Sequence, residues 1–332
     1  MQARSVFAHA VVVGLAAAGV CLAQTNGCAD LRGLVQSTYN FKPSRLNEAQ
    51  KAQKASEMDR VWSLVQSRPA EMLPCLMAQM EEPGADRWFL FDAGALLIRL
   101  DRSARSRALL LRGCEEVDLD DVQLEDWMRR LTSLALEDLD ISAAAARWMR
   151  YPRASFTIVQ HAFTVNRAEG AFFLYGSMDE KYAAPALLKI AADPTQAERE
   201  LALSLLSGLA TPEADADFRS VNLSGLSPQA QNAARTALSG RTPIEPRNPP
   251  KLTRQEILAA FQPAAQMDFR AFLQLAAKDP DGERDVVAVL TPADLALVRR
   301  VRRAMAAACD PHLMDDYPYM SGILWTIQAR RR

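Results

Sequence analysis

The sequence predicts an all-α chain, a helical-repeat solenoid with one inserted β-hairpin. Three observations predict it. Apolar residues recur at i, i+3, i+4 and i+7 in segment after segment. Short breaks carrying Pro, Gly or Asp separate those segments. Between residues 155 and 176 the helical period gives way to β-branched and aromatic residues. The 332 residues are 49% hydrophobic and 24% charged, which suits a substantial core and excludes a disordered polar chain. Lys+Arg 39 against Asp+Glu 40 leaves a net charge of -1, which argues against a dedicated nucleic-acid binder.

The first residues read as an address. Arg4 supplies a positive region, Ala8 to Leu22 are almost wholly apolar, and Cys21-Leu22-Ala23 is a small-x-small site that predicts cleavage before Gln24. At about 15 residues the apolar run falls short of the roughly 20 that a membrane span needs. Residues 1–23 are therefore expected to be a bacterial-type secretory signal peptide. The mature chain is expected to be periplasmic or secreted, without stable membrane insertion. Export places Cys28, Cys75, Cys114 and Cys309 in an oxidising compartment, where up to two disulfides in three connectivities are open.

An N-terminal helical segment is expected over 24–68, ending in the stripe from Met58 to Val65. Helical repeats follow over 69–240, with stripes at Ala70 to Met80, Trp88 to Leu100, Ala104 to Val117, Leu124 to Leu139, Ala183 to Ala192, Glu198 to Leu209 and Gln229 to Leu238. The breaks contain Ser, Thr or Asp before Pro, as in Asp193-Pro194, Ser227-Pro228 and Thr291-Pro292, the pairing expected at a helix start. Residues 241–251 carry Pro243, Pro246, Pro249 and Pro250 without periodicity, and read as an extended linker. Residues 252–332 form a C-terminal helical unit whose longest stripe runs from Leu295 to Cys309.

The chain repeats itself. Ala186 to Pro194 closely matches Ala271 to Pro280, with one inserted Lys, and each copy runs through a charged turn into an apolar helix. A weaker third copy starts at Pro74, where Pro74 and Pro83 keep the spacing of Pro185 and Pro194. A helix, a Pro/Asp turn and a second helix in about 40 residues resembles the HEAT class of α-solenoid repeats, with Arg199 loosely matching the usual Arg of the second helix. The resemblance implies architecture and a binding role on a concave face, and it brings no catalytic residues. On this repeat, Trp88 to Phe91 should lie deep between neighbours. Cys75 and Cys114, one repeat-length apart, would fall on corresponding helices and are the candidate disulfide.

The hairpin is expected within 155–176, from Phe156 to Val159, Phe163 to Val165, a turn at Asn166 to Gly170, and Ala171 to Tyr175. A lone hairpin is marginal in water, so it must pack on helices or take a partner strand. His161, Phe163, Phe172 and Tyr175 are its candidate partner-binding residues. His161 could also serve as a ligand or base beside Asp179 or Glu180, against the plainer reading of a hydrogen-bonded structural His. His312 stands three and four residues before Asp315 and Asp316, a set that could hold a divalent cation. The plainer reading there is a helix start, with Asp310 as cap and Pro311 in the first turn. The acidic stretch from Glu115 to Asp126 and the basic run Arg299, Arg300, Arg302 and Arg303 could be docking patches, or solvated faces. No HExxH, GxSxG or Walker-type loop is present. The expected function is a non-enzymatic scaffold binding a protein or peptide partner in the cell envelope through the concave solenoid face, with the hairpin as an accessory edge, and with no cofactor and no nucleic acid. The alternatives are a hydrolase or metal-dependent enzyme using His161 or His312, and a binder of a small apolar ligand.

Overall fold

The computed structural model describes residues 27–39, 45–153, 155–209, 216, 218–239, 243–278 and 281–330; the predicted signal peptide at 1–23 lies outside them. The chain is all-α with an inserted two-stranded β-hairpin. It divides into two units between Gln123 and Leu124.

In the first unit α1 (27–38), α2 (Glu48–Ser67), α3 (Pro69–Glu81), α4 (Arg87–Leu100) and α5 (Ala104–Glu116) share one core. Asn47 and Gln50 form a reciprocal capping box at the start of α2, and Asp86 and Ser103 cap α4 and α5. The apolar stripes then turn inward, burying Leu31, Val61, Val65, Met72, Leu76 and Leu97. Phe89, Leu90 and Phe91 are buried, while Trp88 packs at the core's edge. The helices α4 and α5 approach so closely that a Cβ on Gly113 would lie 2.5 Å from the Leu90 carbonyl oxygen.

A disulfide joins Cys28 on α1 to Cys75 on α3, with Cα atoms 5.4 Å apart. The expected Cys75–Cys114 bridge is therefore not formed, because the Cys75 sulfur is already taken. Cys114 lies fully buried on α5. Repeat spacing pointed to the wrong partner because Cys28 sits on α1, outside the repeating segment.

The second unit begins with α6 (Leu124–Leu136) and α7 (Ser142–Arg150), followed by β1 (Ser155–Ile158), β2 (Phe163–Asn166) and α8 (Arg167–Ser177). The strands pair antiparallel with Phe156 opposite Val165 and Ile158 opposite Phe163. The hairpin thus ends at Asn166, and the stretch expected to be its far strand, Ala171 to Tyr175, is helix. Two features make it so. Asn166 and Glu169 form a capping box that starts α8. The contiguous apolar run reflects a helix buried nearly all round, with Ala171, Phe173, Leu174 and Tyr175 each at most 1% exposed.

Next come α9 (Glu180–Ala192), α10 (Arg199–Gly208), α11 (Pro228–Ser239), α12 (Arg254–Ala264), α13 (Arg270–Lys278), α14 (Gly282–Val289), α15 (Leu295–Ala307) and α16 (Pro311–Ala329). The two matching sequence copies form the helix pairs α9–α10 and α13–α14. Pro185 sits inside α9, as Pro74 does inside α3. Asp193-Pro194 opens a turn rather than a helix, and α10 starts five residues later, at Arg199. Helix α15 lies at the centre, packing on α6, α8, α12 and α16.

The Pro-rich stretch at 243–250 has neither helix nor strand, bends at 248–249, and is pinned along the α14–α16 face. Ile244 N–H donates to Thr326 Oγ1 at 2.9 Å. The fully buried Asp285 carboxylate accepts from Arg247 Nη1 at 2.9 Å and from Lys251 N–H at 3.0 Å.

Candidate functional site

The basic run on α15 is not a docking patch. Arg302 and Arg303 are buried, at 1% and 7% exposure, and their guanidinium groups serve the open carboxyl ends of neighbouring helices. Arg303 donates from Nε to Ser177 O at 3.0 Å and from Nη2 to Ala135 O. Arg302 donates to Leu209 O and to the Glu180 carboxylate. Arg300 reaches Leu136 O, and Ala265 O at 3.3 Å. One helix therefore closes the C-terminal ends of α6, α8, α10 and α12. Arg199 acts alike, donating from Nε to Ala191 O at 2.8 Å. The acidic stretch is partly spent within the fold: Glu116 pairs with Arg112 at 2.7 Å and Asp126 with Arg130 at 2.5 Å.

The carboxylates expected to assist His161 are likewise engaged. Glu180 binds Arg302, while Asp179 caps α9 and lies 3.6 Å from Arg303 Nη1. Among the expected partner-binding residues, Phe172 and Tyr175 go to helix α8. Phe172 packs edge-on against Tyr317, centroids 4.6 Å apart, and Tyr175 is 1% exposed. Neither is a hairpin residue, and Tyr175 cannot meet a partner.

His161 and Phe163 remain at the hairpin and are half-buried. The hairpin buries Phe156, Ile158 and Val165 and turns Ser155, Thr157, Thr164 and Asn166 outward. Beneath it Trp148 packs edge-on to Phe156, centroids 5.5 Å apart, and donates its indole N–H to Arg167 O at 3.1 Å. The tip, Val159 to His161, is a single 3-10 turn. It is fastened from α6: Val159 N–H donates to Glu125 Oε2 at 2.8 Å, and Arg129 bridges Glu125 and Gln160. Val159 itself is 80% exposed. Sequence reasoning passed over Arg129, and read Glu125 only as part of the acidic stretch and Val159 only as a strand residue of the hairpin. The capping box at Asn166 and Glu169 would have placed the tip at Val159, by ending the hairpin there.

The structure brings Phe163 to His312, ring centroids 4.9 Å apart and nearly perpendicular. His312 opens α16 as a helix start: Asp310 accepts its N–H at 2.9 Å and Pro311 fills the first turn. Asp315 is exposed; Asp316 is half-buried, and burial followed by the neighbouring Asp315 raises its pKa above the usual carboxylate range. Among the described residues no group of three or more His, Cys, Asp or Glu side chains is arranged to hold a metal ion. No described helix is long and apolar enough to cross a membrane. The hairpin is thus a strand pair hydrogen-bonded to α6 at its tip, with Val159 exposed there and Phe163 packed against His312.

Comparison of the chain with protein-family models, with curated proteins and with solved structures finds no match.

Proposed function

We propose that the protein is an exported, non-enzymatic scaffold of HEAT-like helical repeats that binds a protein or peptide partner in the cell envelope through the 155–166 hairpin. The observation that carries this reading is Val159, 80% exposed on a tip held still by Glu125 and Arg129. Val159 is the most exposed large apolar side chain among the described residues, and a partner that covers it would remove that apolar surface from water. The sheet has only two strands among the described residues, which favours addition of an extended partner segment to its edge.

The test is site-specific photo-crosslinking in intact cells. A photoreactive residue at Val159 should capture one dominant envelope protein, and the same residue at Leu100, an exposed apolar position outside the hairpin, should not. Equal capture from both positions, or none from Val159, would sink the proposal. A deletion used as a control must stop at Asn166, since residues 167–177 form α8, which is buried from Gly170 onward apart from Phe172.

A further inference from the structure

In the first unit a pocket of about 340 Å³ opens between α1 and the turn that joins α3 to α4. One face of α1 lines it, with Arg32, Val35, Gln36 and Tyr39 at i, i+3, i+4 and i+7. The opposite wall is the turn from Glu82 to Asp86. There Pro83 precedes Gly84 at φ +82°, and Ala85 N–H donates back to Glu82 O at 3.2 Å, which is type II turn chemistry. This turn fixes two carboxylates at the mouth. The floor is aromatic: Tyr39 and Phe89 are buried, with ring centroids 5.2 Å apart and planes tilted 57°. The Tyr39 hydroxyl is held away by Asp92, to which it donates at 2.8 Å. Gln79, only 8% exposed, adds a buried amide to the wall.

The charges at this pocket do not balance. Among the described residues Arg32 is its one lining cation, and it pairs with Glu82. Asp86 makes no ion pair with a described residue; its carboxylate accepts the Phe89 N–H at 2.9 Å as the cap of α4. Because that carboxylate already fills the amide end of α4, an anionic ligand would meet repulsion rather than a free helix terminus. A cation would meet a carboxylate without an ion pair at the mouth and the aliphatic surface of Pro83, Ala85 and Val35 beside it. That combination recognises an ammonium head on an apolar stem. The volume is of the order of the smaller ligand sites of proteins.

We propose that this pocket binds an alkylammonium group, as carried by a lysine side chain or by a free aliphatic diamine, with Asp86 receiving the charge and Pro83, Ala85 and the edge of Val35 the stem. Desolvation raises the Asp86 carboxyl above the ordinary carboxylate range, against the lowering by the Phe89 and Trp88 N–H groups and by the Arg87 charge. The proposal is independent of the hairpin.

The experiment is calorimetric titration of the full mature chain with N-acetyl-lysine N-methylamide, with cadaverine, and with the uncharged N-acetyl-norleucine N-methylamide. Saturable binding of either amine, at least tenfold tighter than the norleucine compound, is expected; which amine binds more tightly separates a peptide source from a free diamine. Asp86→Asn should weaken amine binding at least tenfold while leaving the fold intact, because Asn caps a helix as well as Asp. Arg32→Gln removes the competing internal cation and should tighten binding several-fold. Equal affinity for the norleucine compound, an unchanged affinity in Asp86→Asn, or no amine binding at 10 mM would each overturn it (concentration on the order of the weakest useful affinity).

Discussion

At the scale of residues, the buried arginines of α15 carry the most consequence. A charged group deprived of water must be repaid in hydrogen bonds, and the wide planar fork of a guanidinium reaches carbonyls on two different helices that the compact ammonium of lysine does not span. Arg303→Lys should therefore lower stability by about 2–4 kcal/mol, since one of the Ser177 and Ala135 carbonyls loses its donor. Urea unfolding of the variant measures this directly. Tyr175 is the opposite case. Its hydroxyl is buried without a hydrogen-bond partner among the described residues, and burial raises its pKa. Tyr175→Phe should then cost nothing and raise the unfolding free energy by up to about 1 kcal/mol. The run Arg299 to Arg303 shows where reading a sequence stops: charge density is visible in one dimension, but the carbonyl ends it satisfies come from helices up to 168 positions away.

At the scale of elements, the helices were legible because caps and stripes are local, and the hairpin's first strand was legible for the same reason. The far end of the hairpin was misread because a helix buried on every side loses the polar stripe that betrays its period. The disulfide is an element-scale fact that no local pattern specifies. By closing a loop across 47 positions, Cys28–Cys75 should contribute roughly 2–4 kcal/mol. Reduction is expected to lower the melting temperature, and peptide mapping without reductant should recover Cys28 joined to Cys75, never Cys75 to Cys114. At the start of α15, Asp294 accepts from Arg254 at 2.7 Å and caps the turn through Thr291 N–H at 2.9 Å. The Arg254 hydrogen bond holds its carboxyl down at about 2. A folded pKa below the unfolded value means that the stabilisation is whole above about pH 4 and fades as pH falls toward 2. Asp294→Asn keeps the cap and loses the charge. Its urea midpoint should lie below that of the parent at pH 7, by a modest amount because Arg254 is half exposed, and the gap should close between pH 4 and pH 2.

At the scale of the whole molecule, the decisive feature is that the second unit runs through the Pro-rich stretch without a break in its core. Prolines without periodicity look like a joint in a sequence, because Pro cannot donate to a ladder or continue a helix. Here the same rigidity lets a strap lie along α14 and α16, held by Asp285 and Thr326. The helices beyond the strap are not a separable cap. Ala304 and Ala307 on α15 are buried together with Leu136 of α6, and the arginines of α15 close α6, α8 and α10. A chain ending at residue 242 would leave those helix ends without donors and the apolar faces of α6 and α8 in water. It should bind a hydrophobic dye or precipitate, whereas co-expression with residues 243–332 should restore a soluble complex of the two fragments. A joint between independent units would give the reverse, two soluble fragments that ignore each other. Size-exclusion chromatography of the co-expressed pair distinguishes these outcomes, and Arg303→Lys in the second fragment should weaken the reassembly, because the contact that stabilises the intact chain is then the contact that joins the pieces.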